Sequence, residues 1–314
     1  IAGWGQFLPF FIKDGVEVVN DAKGGRSSRL FINEGRFDNI EKNISAGDYL
    51  LIEFCHNDDA SKEYKTMFNR LTPLGEPDSD GRFPIIPGEA MPKDYIPPEY
   101  IDALRKDENV KDKQAVLDSV YKILESYPHD TYYPYSADGS KGTYLWFLKQ
   151  FVDMAREKGA VPVFVTAPAR TVYDANGNIK DGAGLHGGNN FAYIRAMKQL
   201  GEEAKVPVID LFAYSCGLYK QIGKEKIHWI TSIKKGCNKG IWPDDFNSEM
   251  QKKETVSEDT HFNKYGAMLI TQGLVKLIKE SDSSQLDGLK GMLKNPDGID
   301  IEKYVKKPLV FEEF

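Results

Sequence analysis

Glu258-Asp259-Thr260-His261-Phe262-Asn263 sets a carboxylate two residues before an imidazole, in an expected loop that enters a long helix-patterned stretch. An Asp bent onto a His ring fixes one tautomer and stabilises its protonated form, as a general base requires. The plainer reading is a helix start, with Asp259 or Asn263 near the cap. His56-Asn57-Asp58 follows the apolar run Tyr49–Phe54. A carboxamide there can offer its N–H2 to a developing oxyanion. Asx side chains at such a place also cap turns for purely structural reasons. The third segment is Gly24-Gly25-Arg26-Ser27. A glycine N–H can approach a ligand closely because no Cβ intervenes. The same residues would also serve as a phosphate cradle or a tight turn. They follow neither the G-x-G-x-x-G nor the G-x-x-x-x-G-K-[ST] pattern, which disfavours nucleotide binding.

The elements that must position these segments alternate between apolar runs and helical spacing. Residues 4–13 are spaced as a helix, and Val16–Val19 is a short β-branched strand. Tyr49–Phe54, Val161–Val165 and Val206–Leu211 read as buried strands. Residues 143–158, Phe191–Ala204 and Lys264–Lys279 read as amphipathic helices. Strands apolar on both faces and separated by helices predict an α/β fold, with a parallel sheet covered on both sides. In such sheets the working residues collect beyond the carboxyl ends of the strands. Asn20–Ser28, His56–Asp58 and Pro168–Arg170 all fall at such places.

The chain has 314 residues, 41% hydrophobic and 28% charged, so it is neither disordered nor too short for a full core. A net charge of −6 and a pI near 5.5 argue against a nucleic-acid or anionic-membrane surface. No apolar run is long enough to span a bilayer. Cys55, Cys216 and Cys237 are too widely spaced for a disulfide framework or a zinc site. We expect a single domain over residues 1–280, with insertions at 59–142 and 214–257, and a charged surface tail at 281–314.

Taken together, these segments resemble the SGNH (GDSL) hydrolases, and within them the rhamnogalacturonan acetylesterase-like carbohydrate esterases. The resemblance begins at Gly3-Trp4-Gly5-Gln6 and Val19-Asn20-Asp21-Ala22-Lys23-Gly24-Gly25-Arg26-Ser27-Ser28. It continues through Glu34-Gly35-Arg36-Phe37-Asp38-Asn39-Ile40, Gly47-Asp48-Tyr49 and Glu53-Phe54-Cys55-His56-Asn57-Asp58. Thr143-Tyr144-Leu145, Val163–Arg170 and Asp259-Thr260-His261-Phe262-Asn263 complete it. It implies a three-layer α/β/α sandwich and acyl transfer through a serine ester. It makes His261 the general base and Asp259 its orienting carboxylate. The Gly25 N–H and the Asn57 side chain become oxyanion donors, and no metal or organic cofactor is implied.

Two departures stand out. Cys55 occupies a position where the family usually carries Gly, which bears on how Asn57 is presented. The family's Gly-Asp-Ser nucleophile segment occurs nowhere in these 314 residues. The family carries it upstream of the Gly-Trp-Gly-Gln stretch, following a first strand also missing here. We therefore expect the nucleophile to lie outside this sequence. The rival expectation is a catalytically incomplete carbohydrate-binding module.

Further candidates concern the substrate. Arg170 could orient a uronate carboxylate, or be an ordinary surface arginine. His56 is a substrate-binding candidate beside Asn57. Trp229 and Trp242 could stack on sugar rings, or simply anchor long loops. The expected partner is an acylated plant cell-wall polysaccharide such as rhamnogalacturonan. The expected location is secreted or cell-envelope in a bacterium, with a cytoplasmic role on imported oligomers as the alternative.

Overall fold

The computed structural model describes residues 2–59, 63–180, 189–224, 226–233 and 257–305, with only the backbone described at 189, 228, 233 and 257–259. The chain divides into two compact units. One comprises Ile1–Ala22, Pro168–Lys180 and Ile209–Phe314; the other comprises Lys23–Ala167 and Asp181–Val208.

The second of these holds the parallel pair Tyr49–Ile52 and Val161–Val165. β1 is Tyr49–Ile52, β2 Met91–Pro92, β3 Thr131–Tyr132, β4 Val161–Val165 and β5 Val208–Ile209. β1 pairs in parallel with β4, from Tyr49 opposite Val161 to Ile52 opposite Phe164, and the sheet order is β1-β4-β5. Val163, Phe164 and Val165 are wholly buried, as an apolar run without alternation predicts. The helix Tyr144–Glu157 buries eight side chains, among them Leu145, Phe147, Leu148, Phe151 and Val152. The helix Ala192–Ala204 packs tightly by β5: a Cβ on Gly201 would stand 2.2 Å from Val208 Cγ2. The α/β class predicted from the alternation is the one observed.

The stretch expected as an insertion at 59–142 contains the helices Tyr64–Arg70, Pro98–Lys106 and Lys113–Ser126 and the antiparallel β2–β3 pair. Its aromatic-rich core joins Phe68, Tyr100, Leu104, Val120, Leu124, Tyr127, Tyr132 and Tyr135 with Leu30. Those tyrosines thus serve packing.

In the first unit, the helix Lys264–Glu280 buries nine residues. It lies against the helix Leu211–Ile222, where Gly273 leaves room for the Tyr214 ring; a Cβ there would meet Tyr214 Cε1 at 2.0 Å. β6 (Thr231–Ile233) runs antiparallel to β7 (Ser257–Phe262).

Two local expectations are corrected. Val16–Val19 forms no strand: Val16 and Val18 are only half-buried and Val19 is 67% exposed, so its β-branched run gains little packing to reward an extended pairing. The segment after 280 is not a surface tail as far as residue 305. Leu286, Leu289, Leu293 and Ile301 are buried, Leu293 bridges to Ile12, and Lys294 N–H donates to Phe11 O at 2.8 Å. Charge content masked these apolar residues, which suffice to bury one face.

Glycine contacts give a stability test. A Cβ on Gly266 would stand 2.0 Å from Ile230 O, whereas one on Gly291 meets nothing within 4 Å. Gly266→Ala is expected to lower the unfolding free energy by about 1–3 kcal/mol. Gly291→Ala is expected to raise it by about 0.5–1 kcal/mol. Urea unfolding of the two variants checks both signs.

Candidate active site

β1 ends at Ile52, and the chain then folds back on itself: the N–H groups of Asp58 and Asp59 both donate to Cys55 O, at 3.0 and 3.3 Å. This turn presents His56 and Asn57, both half-buried, and drives Asp58 inward to full burial. Asp58 Oδ1 accepts from the Ser28 N–H at 2.9 Å and from Ser28 Oγ at 2.5 Å. Ser28 opens the helix Ser28–Asn33, and the preceding Ser27 caps it, its Oγ accepting from Leu30 N–H at 3.2 Å. The glycine loop and the Asn57 turn are therefore laced together by one buried carboxyl group.

Burial dominates the Asp58 side chain and pushes its pKa up to about 7. The hydrogen bonds from Ser28 and Thr72, and the Arg29 charge, oppose that rise only in part. Two tyrosine hydroxyls hold the rest of the turn. Tyr144 donates to Phe54 O at 2.6 Å, and Tyr193 reaches Asp58 O and Thr72 O at 3.2 and 3.0 Å.

Gly25 adopts φ +80°, in the left-handed region that favours glycine. Its open side is taken by an arginine: a Cβ at Gly25 would stand 3.2 Å from Arg70 Nη2. The same guanidinium donates through Nη1 to Asn57 Oδ1 at 3.2 Å. The structure thus gathers Gly25 and Asn57 around Arg70. Cys55 is 3% exposed, and burial, with Asp58, Glu53 and Asp59 adding to it, pushes its thiol well above the ordinary range. The side chain that replaces the family's Gly is a neutral interior group.

The first unit holds the other part of the expected set: Arg170, Trp229, Asp259 and His261. The sequence predicts a loop at Asp259–His261, but these residues lie on β7, whose Phe262 pairs with Thr231. Strand pairing here outcompetes the local turn signal. The helix cap falls to Asn263: its Oδ1 accepts from Gly266 N–H at 2.8 Å, while Nδ2 donates to Trp229 O at 2.8 Å and Thr231 O at 3.2 Å. Positions 259 and 261 are alternate ones on a strand. The Asp259 side chain lies outside the described residues, as does Trp242. His261 is half-buried. Trp229 is half-buried in the turn Ile227–Trp229, with Lys226 Nζ 5.1 Å from its ring centroid. Arg170 is half-buried beyond β4, next to Ala169, whose N–H donates to Ser215 Oγ at 2.9 Å.

Sequence reasoning missed Ser28, Asp58, Arg70, Tyr144 and Tyr193 as site-building residues. Ser28, Asp58 and Tyr144 lie within motifs that carry the resemblance, yet neither spacing nor residue type announces a contact across 30 positions.

No family model matches the chain. It is 30% identical over 280 residues to the rhamnogalacturonan acetylesterase RhgT of Bacillus subtilis, covering 89% of this chain and 82% of that protein. It is 28% identical over 279 residues to the probable rhamnogalacturonan acetylesterase YesY of the same organism, covering 88% and 83%. The crystal structure of YxiM from Bacillus subtilis superposes with a TM-score of 0.50 at 18% identity; the match covers 90% of this chain and 51% of that one, about half its length. The fold is the α/β sandwich of the SGNH hydrolases. The chain belongs to the rhamnogalacturonan acetylesterase-like family within that group. Among the described residues, no helix is long and apolar enough to cross a membrane.

Asp58 gives this site a pH signature. Its folded pKa of about 7 lies above the 3.8 of an ordinary exposed aspartate. Below about pH 4 both folded and unfolded forms keep the proton, and Asp58 has no effect on the balance. As pH rises to 7 the unfolded chain releases it first, so this group lowers stability across that window. Asp58→Asn keeps an acceptor for Ser28 and cannot ionise. The stability of Asp58→Asn relative to wild type is expected to rise between about pH 4 and pH 7, then level off, at about 1.4 kcal/mol per pKa unit. Urea unfolding of both proteins over pH 4–8 measures it, and a pH-independent difference would remove Asp58's proton from the account.

Proposed function

We propose that the protein is a serine esterase that removes acetyl groups from a plant cell-wall polysaccharide of the rhamnogalacturonan type. The observation that carries this reading is the family membership joined to one local arrangement. Gly25 and Asn57, the two positions matched to oxyanion donors, are held around a common arginine and tied together by the Ser28–Asp58 bond. Preorganised donors of this kind stabilise the charge that develops when a serine attacks an ester carbonyl.

In this reading His261 takes the proton from the attacking serine and later returns it to the leaving sugar hydroxyl. Asp259 orients the imidazole and stabilises its protonated form. The carbonyl oxygen, negative in the tetrahedral intermediate, accepts from the Gly25 N–H and the Asn57 Nδ2. Water, activated by the same histidine, then releases acetate. The nucleophile is the family's Gly-Asp-Ser serine, which is not among these 314 residues. Arg170, His56, Trp229 and Trp242 are assigned to the sugar chain: the arginine to a uronate carboxylate, the aromatic rings to pyranose faces. A polysaccharide substrate goes with a secreted or cell-envelope site of action.

The rival reading is a carbohydrate-binding module that keeps the scaffold without turnover. Acetate release from acetylated rhamnogalacturonan by the full-length protein separates the two. His261→Ala is expected to reduce kcat by about ten-thousandfold or more while polysaccharide binding persists. Asn57→Ala is expected to reduce kcat by about a hundredfold. Binding without acetate release in the wild type supports the module; unchanged kcat in His261→Ala removes the histidine from the mechanism.

A further inference from the structure

The two ends of a carboxamide differ: the oxygen accepts and the nitrogen donates. A guanidinium has five N–H donors and no acceptor. Arg70 Nη1 stands 3.2 Å from one end of the Asn57 amide. That end must be the oxygen, so the N–H2 faces away from the arginine. The arginine itself is rigidly based. It is the last residue of the helix Tyr64–Arg70, whose end is fixed by the buried Arg29. Arg29 donates to Phe68 O at 2.6 Å and Leu71 O at 3.0 Å, on either side of Arg70.

Among the described residues Arg70 forms no ion pair; Glu63 and Glu34 act on it only through space, and the nearby Arg26 repels it. Arg26 has its own partner, donating through Nη2 and Nε to Glu34 at 2.8 and 2.9 Å. A half-buried cation bonded to an amide oxygen also polarises that amide, which strengthens its N–H groups as donors.

We propose that Arg70 is a positioning residue: it holds the Asn57 carboxamide by its oxygen and leaves Nδ2 as the oxyanion donor. This rests on the reading above in which Asn57 meets the oxyanion. The same guanidinium packs on the open face of Gly25, with Arg70 Nη2 and Cζ 3.2 and 3.6 Å from where a Cβ would stand.

The test uses 4-nitrophenyl acetate, which has no carboxylate for Arg70 to bind, and the full-length protein. Arg70→Ala is expected to lower kcat by about ten- to a hundredfold with KM nearly unchanged. Arg70→Lys, which keeps a donor, should recover part of the loss. In an Asn57→Ala background, Arg70→Ala should change little more, because the group it positions is gone. A full additional loss in that background overturns the proposal, since Arg70 would then act independently of Asn57. A second measurement does not depend on turnover. The side-chain N–H2 resonances of Asn57, assigned by their loss in Asn57→Ala, are expected to move strongly in Arg70→Ala and less in Arg70→Lys. Resonances unmoved by Arg70→Ala overturn the proposal even if the protein hydrolyses esters. A wild type inert toward esters, with these resonances shifted, instead ends the reading of Asn57 as oxyanion donor and the proposal with it.

Discussion

A carboxyl group with no access to water ties two loops of this protein together. Asp58 accepts twice from Ser28, and through it the turn after β1 is fastened to the start of the helix Ser28–Asn33. Burying a carboxylate is costly, so the group gives up part of its acidity rather than its place. Everything offered by the Gly25 loop and the Asn57 turn is registered by that bond. Had the two loops been joined by apolar contacts alone, a shift of an ångström would cost little. A bond of 2.5 Å to a buried oxygen leaves far less latitude.

The surrounding aromatic side chains extend the same constraint. The Tyr144 and Tyr193 rings meet edge to face, with centroids 5.0 Å apart, while their hydroxyls reach carbonyl oxygens on both sides of the Asn57 turn. Each ring is anchored in a core helix, so the turn inherits the rigidity of the helices Tyr144–Glu157 and Ala192–Ala204. The 59–142 stretch contributes in the same way. Its packed tyrosines and Phe68 support the short helix that ends at Arg70. A stretch that read as a loop-rich interruption is thus a buttress for the site.

What the sequence disclosed follows from the range of the forces involved. The buried strand Val161–Val165 and the helix after Thr143 were readable because their signals are local and repeat. The roles proposed for Gly25 and Asn57 came with the family motif. The Ser28–Asp58 bond was hidden, because an Asp in a turn looks the same whether it caps locally or reaches 30 residues away. Val16–Val19 failed in the opposite sense, its composition favouring a strand that no neighbour completes. Asp259–His261 was misread as a loop because its pairing partner, Thr231–Ile233, carries no strong strand pattern of its own. Leu286, Leu289 and Leu293 were obscured by the charges between them.

Three arginines show why residue type alone would not have found the site's support. Arg26, Arg29 and Arg70 belong to one unit and carry the same charge. Arg26 is matched by Glu34, which also takes Arg36 at 2.6 Å. Arg29 is sunk in the interior, where three carbonyl oxygens, of Phe68, Leu71 and Tyr133, replace its water. Burial lowers its pKa, yet those fixed dipoles keep it in place. Arg70 has neither arrangement: it is half-buried, and its side-chain partner among the described residues is a neutral amide. A cation in that state retains most of its bonding capacity. An arginine on Glu34 stiffens a surface, and one among carbonyls stiffens a core. An arginine on Asn57 is left to act on whatever that amide meets.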